Sequence, residues 1–461
     1  MKLSRANNGM TVHYDKPQTT ATGRTRSRKL LTAVFIFFTA FGIRTLNWES
    51  SLGQVEGVQT SVARNYQNLA GLIHRNGLGS LYDPSSSTSD PDLLGHPPGY
   101  PILLSFLSGV FADSGTVQLL QMILDSVAAV IIFLIACELF PVGVGLIAGL
   151  MAAFAPQFSW NSILLLPDSL AALPILLAVL LITRNRQHPD RLLPLLTAGA
   201  LVGISCWLRA NALLLAPFLA LLFLVIRQRG ERLRPALVLI GGACLLIAPL
   251  TIRNAVVFGK FIPVSLGAGQ TLVEGIADYN TDGSLGLPQT DMELIRGEAE
   301  TYHRPEYTKS LFFPDGPERD RARLARGFAV VRAHPFWFAG VMIRRAASML
   351  RLERTPLRLV VVNSTALPFL QWPLRTLQKL FITALFLPLS LLGAGILFYR
   401  TQFHTLAILL AVPFYYFCTQ SALHTEYRYV LVIHYFLFVL AALKVHTIGR
   451  KLTAAWKAAR K

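Results

Sequence analysis

Long apolar segments separated by short polar connections make up most of the sequence. A membrane-spanning helix needs about 20 apolar residues, because the hydrocarbon core is about 30 Å thick and an α-helix rises 1.5 Å per residue. About ten segments approach this length, which predicts an all-α polytopic membrane protein with about ten spans. They are LLTAVFIFFTAFGI near the N-terminus and the segments at about 117–139, 142–154, 169–183, 192–208, 212–226, 235–252, 381–398, 405–421 and 429–443.

Basic residues mark one side of this predicted bundle. They precede the first apolar segment, occupy the connections at 184–191 and 227–234, and close the chain. Lysine and arginine are enriched in cytoplasmic loops, so we expect these connections and both termini in the cytoplasm. No small-residue cleavage site follows the first apolar segment, which favours a retained helix over a signal peptide.

The segment HPPGYPILLSFLSGVF, residues 96–111, is apolar but too short to cross a membrane. Counting crossings from the basic connections places both of its ends on the external side. A spanning helix here would break that count. We therefore predict an interfacial or re-entrant helix at the outer membrane face.

The alternation of apolar and polar stretches divides the chain into five predicted regions. The region 254–376 is too polar to span and has the size of a small domain, so we expect an external domain of mixed secondary structure. The regions are a basic cytoplasmic leader (1–29), an N-terminal transmembrane core (30–253) with a first external loop (48–115), the external domain (254–376), C-terminal transmembrane helices (377–446) and a basic cytoplasmic tail (447–461).

Composition supports a membrane protein and excludes several other classes. The chain of 461 residues is 53% hydrophobic and 15% charged, with a mean hydropathy of +0.47. The net charge of +18 comes from residues outside the apolar segments, which indicates membrane topology and argues against a nucleic-acid partner. The four cysteines form no CxxC pair and predict no disulfide framework. The sequence contains no glycine-rich phosphate loop and no metal-ligand cluster.

Ionisable residues within or beside apolar segments are costly and usually face a cavity or a partner. In the predicted topology they gather near the external face. Arginine forks pair with phosphate oxygens, and a carboxylate can take a proton from an attacking hydroxyl or amine. The group therefore fits a reaction between a lipid-borne phosphate and an acceptor. Its members are Arg44, Glu56, His96, Asp168, Arg209, Arg253, His424, Glu426 and Arg428.

Each of these residues also has a structural interpretation. The arginines could reach lipid headgroups from the ends of helices. Asp168 follows Pro167 at the start of a predicted helix, where the helix dipole favours a negative charge. His96 and His424 could make structural hydrogen bonds, and Glu56 could be a solvated loop carboxylate.

Four motifs occur in order along the chain: GHPPGYPILLSFL at 95–107, WLRANALLLAPFLAL at 207–221, APLTIRNAVVFGKFIPVS at 248–265 and EYRYVLVIHYF at 426–436. Together they resemble the bacterial GT-C glycosyltransferases related to the protein O-mannosyltransferases and the aminoarabinose transferases of lipid A. The resemblance extends over about 31–443. It implies a GT-C-type helical bundle with juxtamembrane helices in the bacterial inner membrane, with its active site on the external, periplasmic face.

The resemblance also implies two catalytic residues. Relatives carry an acidic residue in the first external loop, in a pattern like E-x-D-x-x-x-x-A-R-N. The stretch EGVQTSVARNY matches the first acid and the ARN but has Val58 at the second acidic position, which makes Glu56 the expected general base. The stretch LLPDSLAAL resembles a family segment whose acidic residue faces the active site, which makes Asp168 the second expected catalytic residue.

The implied reaction moves a hexosyl or pentosyl group from a polyprenyl-phosphate donor to a glycan, lipid or protein acceptor, by direct attack with inversion. No resident cofactor or metal ligand is assigned, and the sugar and the acceptor stay open. Arg253 and Arg428 are expected to hold the donor phosphate. The residues expected to bind donor phosphate or substrate are His96, Tyr100, Arg209, Arg253, Glu426 and Arg428.

Two other functions stay open at this point. A transporter or flippase would place charges near mid-membrane and broken helices in two related halves. An inactive relative would bind polyprenyl lipids without transferring a sugar, and Val58 at the second acidic position keeps that alternative open.

Overall fold

The computed structural model describes residues 23–55, 58, 60–108, 114–353 and 368–460. Within these ranges the regular secondary structure is helical and contains no strand. The prediction of a mixed external domain was therefore wrong for its described part, residues 254–353 and 368–376. Its turn-rich stretches connect helices and no sheet forms there.

The helices follow the predicted apolar segments. The first eleven are α1 (Gly23–Val55), α2 (Thr60–Asn76), α3 (Gly99–Ser108), α4 (Ser114–Leu139), α5 (Val142–Phe154), α6 (Pro156–Ile163), α7 (Asp168–Asn185), α8 (Leu193–Leu208), α9 (Leu215–Ala220), α10 (Leu222–Ile226) and α11 (Leu233–Phe258). The remaining helices are α12 (Ala268–Ala277), α13 (Asp291–Tyr302), α14 (Gly316–Ala333), α15 (Pro335–Met349), α16 (Pro368–Gln378), α17 (Thr383–Tyr399), α18 (Phe403–Thr419) and α19 (Leu431–Ala459).

Six of the described helical segments are long and apolar enough to cross a membrane, or up to eight if each of two bent pairs forms one span. The bent pairs are α5 with α6, at 52°, and α16 with α17, at 59°. Helix α8 and the segment Ala210–Ile226 are shorter apolar helices. Every predicted span thus coincides with a helical segment, and the count of ten stays a prediction.

Helix α3 contains the proline-rich segment and has only ten residues, so it cannot span a bilayer. A side chain at Gly99 would clash with the backbone carbonyl of Trp207, at the end of α8. Glycine therefore lets the start of α3 lie directly against the end of α8. The position of α3 at the outer membrane surface stays a prediction.

Small residues bring α8 and α11 together. A side chain at Gly199 would clash with the Leu239 carbonyl, and one at Gly242 would clash with the Leu196 carbonyl. Close backbone approach at small residues is how helices pack where lipid removes the hydrophobic driving force. Helix α11 ends at Gly259, whose φ of 61° is left-handed and favours glycine.

Arg44 does not reach the membrane surface. Its Nε donates to Asp125 Oδ2 over 2.7 Å, and its side chain is fully buried between α1 and α4. The Tyr435 hydroxyl donates to the other oxygen of Asp125 over 3.2 Å, which adds α19 to the contact. The prediction that Arg44 belongs with the external charges was therefore wrong. Asp125, a carboxylate in the middle of the 26-residue apolar helix α4, was missed although its position was the signal.

The predicted region boundaries mark changes of polarity, and helices continue across all four. Helix α1 crosses 29/30, α11 crosses 253/254, α16 crosses 376/377 and α19 crosses 446/447. The segment with α12 to α15 is tied to the membrane part through Arg345. This buried side chain donates to the Ser421 carbonyl over 2.8 Å and also to the Gly275 carbonyl. Helices α12 to α15 are thus fixed against the end of α18.

Candidate functional site

Asp168 and Arg209 meet because α7 and α8 are neighbours joined by a short connection. Asp168 is the first residue of α7, and Arg209 directly follows α8. The start of one helix and the end of the next therefore lie at the same level. Arg209 Nε donates to Asp168 Oδ1 over 2.8 Å, and its Nη2 donates to the same oxygen. The Asp168 side chain is only 2% exposed, so this is a buried ion pair.

Arg428 joins the pair from the turn between α18 and α19. Its Nε and Nη2 donate to the two oxygens of Glu426 over 2.8 and 3.0 Å. Its Nη1 lies 3.7 Å from Asp168 Oδ2. The Tyr429 ring packs against both guanidinium groups, with its centroid 4.4 Å from Arg209 Cζ and 5.1 Å from Arg428 Cζ. We call Asp168, Arg209, Glu426 and Arg428 the charged cluster.

Two polar atoms of the charged cluster lack a hydrogen bond within the described ranges. They are Asp168 Oδ2 and Arg428 Nη1, both buried. A cavity of about 10 Å³, room for about one water molecule, adjoins them and is also lined by Arg209, Asn211 and Tyr416. An unpaired buried polar atom is costly, so these two atoms are available to a polar ligand.

An aromatic wall lies beside the charged cluster. It consists of Tyr66, His96 and Tyr100, with the Tyr66 ring centroid 5.2 Å from that of His96 and 5.3 Å from that of Tyr100. The Tyr100 hydroxyl donates to Gln121 Oε1 over 2.7 Å, and Gln121 Nε2 donates to the Leu164 carbonyl over 2.5 Å. These bonds hold the wall against α4 and against the turn that precedes Asp168.

His96 is held as a neutral imidazole. Burial and the positive charges of Arg209 and Arg428 together lower its pKa to about 4. The Tyr66 hydroxyl in the same wall is buried without a hydrogen-bond partner in the described part of the chain. The wall therefore offers an uncharged ring surface with one unpaired hydroxyl to a ligand beside the charged cluster.

The structure does not bring Arg253 into this cluster. Its Nε donates to the Leu81 carbonyl over 2.9 Å and its Nη2 to the Thr88 carbonyl over 3.1 Å. Its Nη1 donates to Asn254 Oδ1 over 3.0 Å. Arg253 thus anchors the loop around 78–90 to α11.

Glu56 lies outside the described residues. Val58, two positions later, is partly buried and packs into the apolar cluster that contains Tyr66 and Tyr100. The described residue nearest to Glu56 on its C-terminal side therefore packs against the same apolar cluster as two residues of the aromatic wall, Tyr66 and Tyr100.

Sequence analysis missed the aromatic contributors to the site. Tyr66 and Tyr429 were not assigned, although Tyr66 ends the stretch EGVQTSVARNY and Tyr429 follows Arg428 directly. Trp160, on α6, donates from its indole nitrogen to the Tyr427 hydroxyl over 3.2 Å. Aromatic residues are common in a membrane protein, so only their neighbours in space identify these as part of the site.

Comparisons with known proteins agree with this architecture. Residues 95–252 match the profile of the family described as dolichyl-phosphate-mannose-protein mannosyltransferase, a range that includes His96, Asp168 and Arg209. The AglB oligosaccharyltransferase of Archaeoglobus fulgidus, solved with an inhibitory peptide and a dolichol-phosphate, aligns with a TM-score of 0.54 at 17% identity over 95% of this chain and 52% of that one. The fold is that of the GT-C glycosyltransferases.

The same Archaeoglobus oligosaccharyltransferase, tethered to an acceptor peptide with an NVT sequon, aligns with a TM-score of 0.55 at 15% identity over 93% of this chain and 50% of that chain. The chain therefore spans about half the length of the oligosaccharyltransferase. ArnT from Cupriavidus metallidurans, bound to undecaprenyl phosphate, aligns over 95% of this chain and 80% of that chain at 16% identity, with a TM-score of 0.36 that is too low to support an argument. No curated protein matches the sequence significantly.

The predicted GT-C fold and the mannosyltransferase-like resemblance are confirmed. Of the predicted site residues, the structure brings together Asp168, Arg209, Glu426 and Arg428, with His96 and Tyr100 beside them. Paired arginines are the side chains best suited to bind phosphate oxygens at two points.

Proposed function

We propose that this GT-C protein transfers a sugar from a polyprenyl-phosphate donor to a lipid, glycan or protein acceptor. The observation that carries the proposal is the buried charged cluster, in which Arg209 and Arg428 converge on Asp168 at the ends of apolar helices. Support also comes from the family match over residues 95–252 and from the dolichol-phosphate bound to AglB. We propose the external face of a bacterial inner membrane as the location, with both termini in the cytoplasm.

Arg428 and Arg209 bind the donor phosphate in this proposal. Arg428 Nη1 is buried and makes no hydrogen bond within the described residues, so it can donate to a phosphate oxygen without first breaking a hydrogen bond. Fixed positive groups stabilise the charge that develops on the leaving phosphate as its bond to the sugar breaks. Arg209 takes the place proposed for Arg253 from sequence, because Arg253 donates to the backbone around 78–90.

The sugar moves in a single displacement. The acceptor oxygen or nitrogen attacks the anomeric carbon while the bond from that carbon to the phosphate oxygen breaks, and the electron pair leaves with the phosphate. Glu56 takes the acceptor's proton, and the configuration at the anomeric carbon inverts. Asp168 keeps both arginines in place, and its unpaired Oδ2 accepts a hydrogen bond from the acceptor.

The aromatic wall contacts the sugar in this arrangement. Tyr66, His96 and Tyr100 lie beside the charged cluster, and neutral His96 adds no charge that would compete for the phosphate. Helix α3 starts within this wall and forms the boundary between the site and the lipid. A polyprenyl chain could then stay in the bilayer while its headgroup enters the site.

Release of free polyprenyl phosphate tests the proposal. The purified full chain in lipid vesicles is given polyprenyl-phosphate sugars labelled in the sugar, with native membrane extract as acceptor. We expect release together with transfer of the label, and loss of both in Glu56→Gln. Glu138→Gln is the control, because Glu138 pairs with Arg184 at the far end of α7 from Asp168.

Two outcomes would replace the proposal. Accumulation of intact labelled donor or sugar across the vesicle membrane without release would indicate a transporter. Saturable donor binding without release, for every donor and acceptor tried, would indicate an inactive lipid-binding relative.

A further inference from the structure

Within the part of the chain that the structure describes, the charges of the cluster balance. Arg209 and Arg428 face Asp168 and Glu426, so a phosphate anion meets no net positive charge. We propose that His424 is a positioning residue that acts through Arg428. When Arg428 moves from Glu426 to the phosphate of a polyprenyl-phosphate lipid, protonated His424 replaces it as the partner of Glu426. Binding of a polyprenyl-phosphate lipid is then coupled to uptake of one proton. This inference rests on the proposed function for its ligand.

Glu426 is the carboxylate that can exchange its partner. Its side chain is 29% exposed, whereas that of Asp168 is 2% exposed and already holds Arg209. Glu426 accepts from Nε and Nη2 of Arg428 and, over 3.4 Å, from the Tyr429 hydroxyl, and these bonds are partly buried. A partly solvated carboxylate is released at a lower cost than a buried one.

His424 is held firmly two positions before Glu426. Its backbone N–H donates to the Thr271 carbonyl over 2.7 Å, and a side chain at Gly275 would clash with its backbone nitrogen. Its Nδ1 lies 2.9 Å from Asp278 Oδ2. Because a carboxylate accepts, Nδ1 carries the hydrogen and Nε2 is the atom that gains or loses a proton.

The turn between the two residues is also ordered. Thr425 is buried, and its hydroxyl donates to the Gln420 carbonyl over 2.7 Å. The imidazole of His424 and the carboxylate of Glu426 are therefore carried by one fixed turn. A change of charge at one acts directly on the other.

Acidic neighbours favour protonation of His424. The hydrogen bond to Asp278 raises the pKa of His424, and burial opposes this. The negative charges of Asp278 and Glu426 raise the pKa of His424 again, as does that of Glu274 when Glu274 is ionised. His96 on the opposite side of the cluster stays neutral, because burial and the two arginines lower its pKa to about 4. The surroundings of the two histidines therefore shift their pKa values in opposite directions, up for His424 and down for His96.

The remaining charged groups around this turn come from α12, α13 and α15. Burial and the neighbouring Asp291 raise the pKa of Glu274 to about 8, so Glu274 carries a proton over much of the neutral range. Arg345 Nη2 lies 3.7 Å from Asp278 Oδ2 and donates to backbone carbonyls, so it offsets part of the Asp278 charge. Neither Glu274 nor Arg345 can offer Glu426 a positive charge that appears when a proton is bound.

The protonation of His424 sets how the affinity for phosphate depends on pH. Protonated His424 favours phosphate binding, so affinity is highest below the pKa of His424 and falls as pH rises through it. By linkage, a bound phosphate raises that pKa by the same coupling. Couplings of this kind change affinity by about fivefold or more.

The test measures binding of a short-chain polyprenyl-phosphate sugar to the full chain in nanodiscs between pH 5.5 and 8.5. This probe is a phosphodiester, so it lacks the second phosphate ionisation near pH 6 that a monoester would add. We expect about fivefold or greater weakening with rising pH in the wild type and a flat profile in His424→Gln. His404→Gln is the control, because His404 lies at the start of α18 and His424 follows its end.

Two further variants keep the test decisive if His424→Gln does not fold. Asp278→Asn should move the midpoint to lower pH, and Glu426→Gln should give tight binding at every pH.

A pH-independent wild-type affinity, no binding at any pH, or a wild-type profile in His424→Gln would overturn the role of His424. Transfer is scored separately: flat binding with intact transfer rejects only this inference, and proton-linked binding without transfer rejects only the proposed reaction.

Discussion

Arg209 donates from Nε to Asp168 Oδ1 over 2.8 Å, across the helix pair α7 and α8. Forty-one positions separate the two residues in sequence, and both are buried beside the aromatic wall. The proposed chemistry takes place beside this ion pair, where α7 begins and α8 ends.

Replacing Asp168 should strongly reduce transfer. Asp168→Asn keeps the shape of the side chain but removes the charge that holds Arg209 and Arg428. We expect a loss of about 100-fold or more in kcat, the size seen when a fixed electrostatic contact is removed from an active site. Release of polyprenyl phosphate measures it, with Glu138→Gln as the variant that should stay near wild type.

The variants Arg428→Gln and Arg253→Gln should have different effects, the first on donor affinity and the second on stability. Arg428→Gln removes a donor to the phosphate, so donor affinity should fall about tenfold or more. Equilibrium binding of a labelled polyprenyl-phosphate sugar gives this value. Equal affinity of Arg428→Gln and the wild type would remove Arg428 from the phosphate site.

Arg253→Gln should lower stability and leave donor affinity unchanged. The change leaves the Leu81 and Thr88 carbonyls without their donor, which costs about 1–3 kcal/mol per unsatisfied buried group. Thermal unfolding in detergent detects the loss, and the same binding assay checks the affinity. Selective loss of donor binding in a stable Arg253→Gln protein would return Arg253 to the site.

The buried pair of Arg44 and Asp125 should be a strong determinant of stability. Asp125→Asn leaves Arg44 charged and unpaired inside the bundle, so we expect a loss of about 3–5 kcal/mol. The double variant Arg44→Met with Asp125→Leu should recover much of it, because no charge is left buried. Breaking the exposed pair with Arg184→Gln should cost at most about 1 kcal/mol. Denaturant unfolding of the three variants compares them.

His96 should make the protein sensitive to acid. Its pKa is lowered to about 4, below the unfolded value near 6.5, so the unfolded chain binds more protons between these values. The contribution of neutral His96 to the free energy of unfolding is therefore fully present above about pH 6.5 and is lost as the pH falls towards 4. His96→Gln should show a smaller fall in melting temperature over that range. An equal fall in both proteins would show that His96 is already charged in the folded state.

The sequence by itself determined the helices and their order. A run of apolar residues becomes a helix wherever it enters the hydrocarbon core, because no water is there to satisfy its backbone. The helices over 114–139, 168–185 and 403–419 therefore lie where the apolar pattern placed them. The external segment was harder to predict, because its helices α12 to α15 depend on contacts such as that of Arg345 with the end of α18.

The grouping of the site residues was decided only by the tertiary structure. Arg209, Arg253 and Arg428 look alike in sequence, since each lies at the end of an apolar segment. Packing of α7 against α8 brings Arg209 to Asp168, and the turn before α19 brings Arg428 to the same carboxylate. The loop around 78–90 instead offers backbone carbonyls to Arg253. A guanidinium takes the acceptors that packing places within reach, and those that separate Arg209 from Arg253 lie far away in sequence.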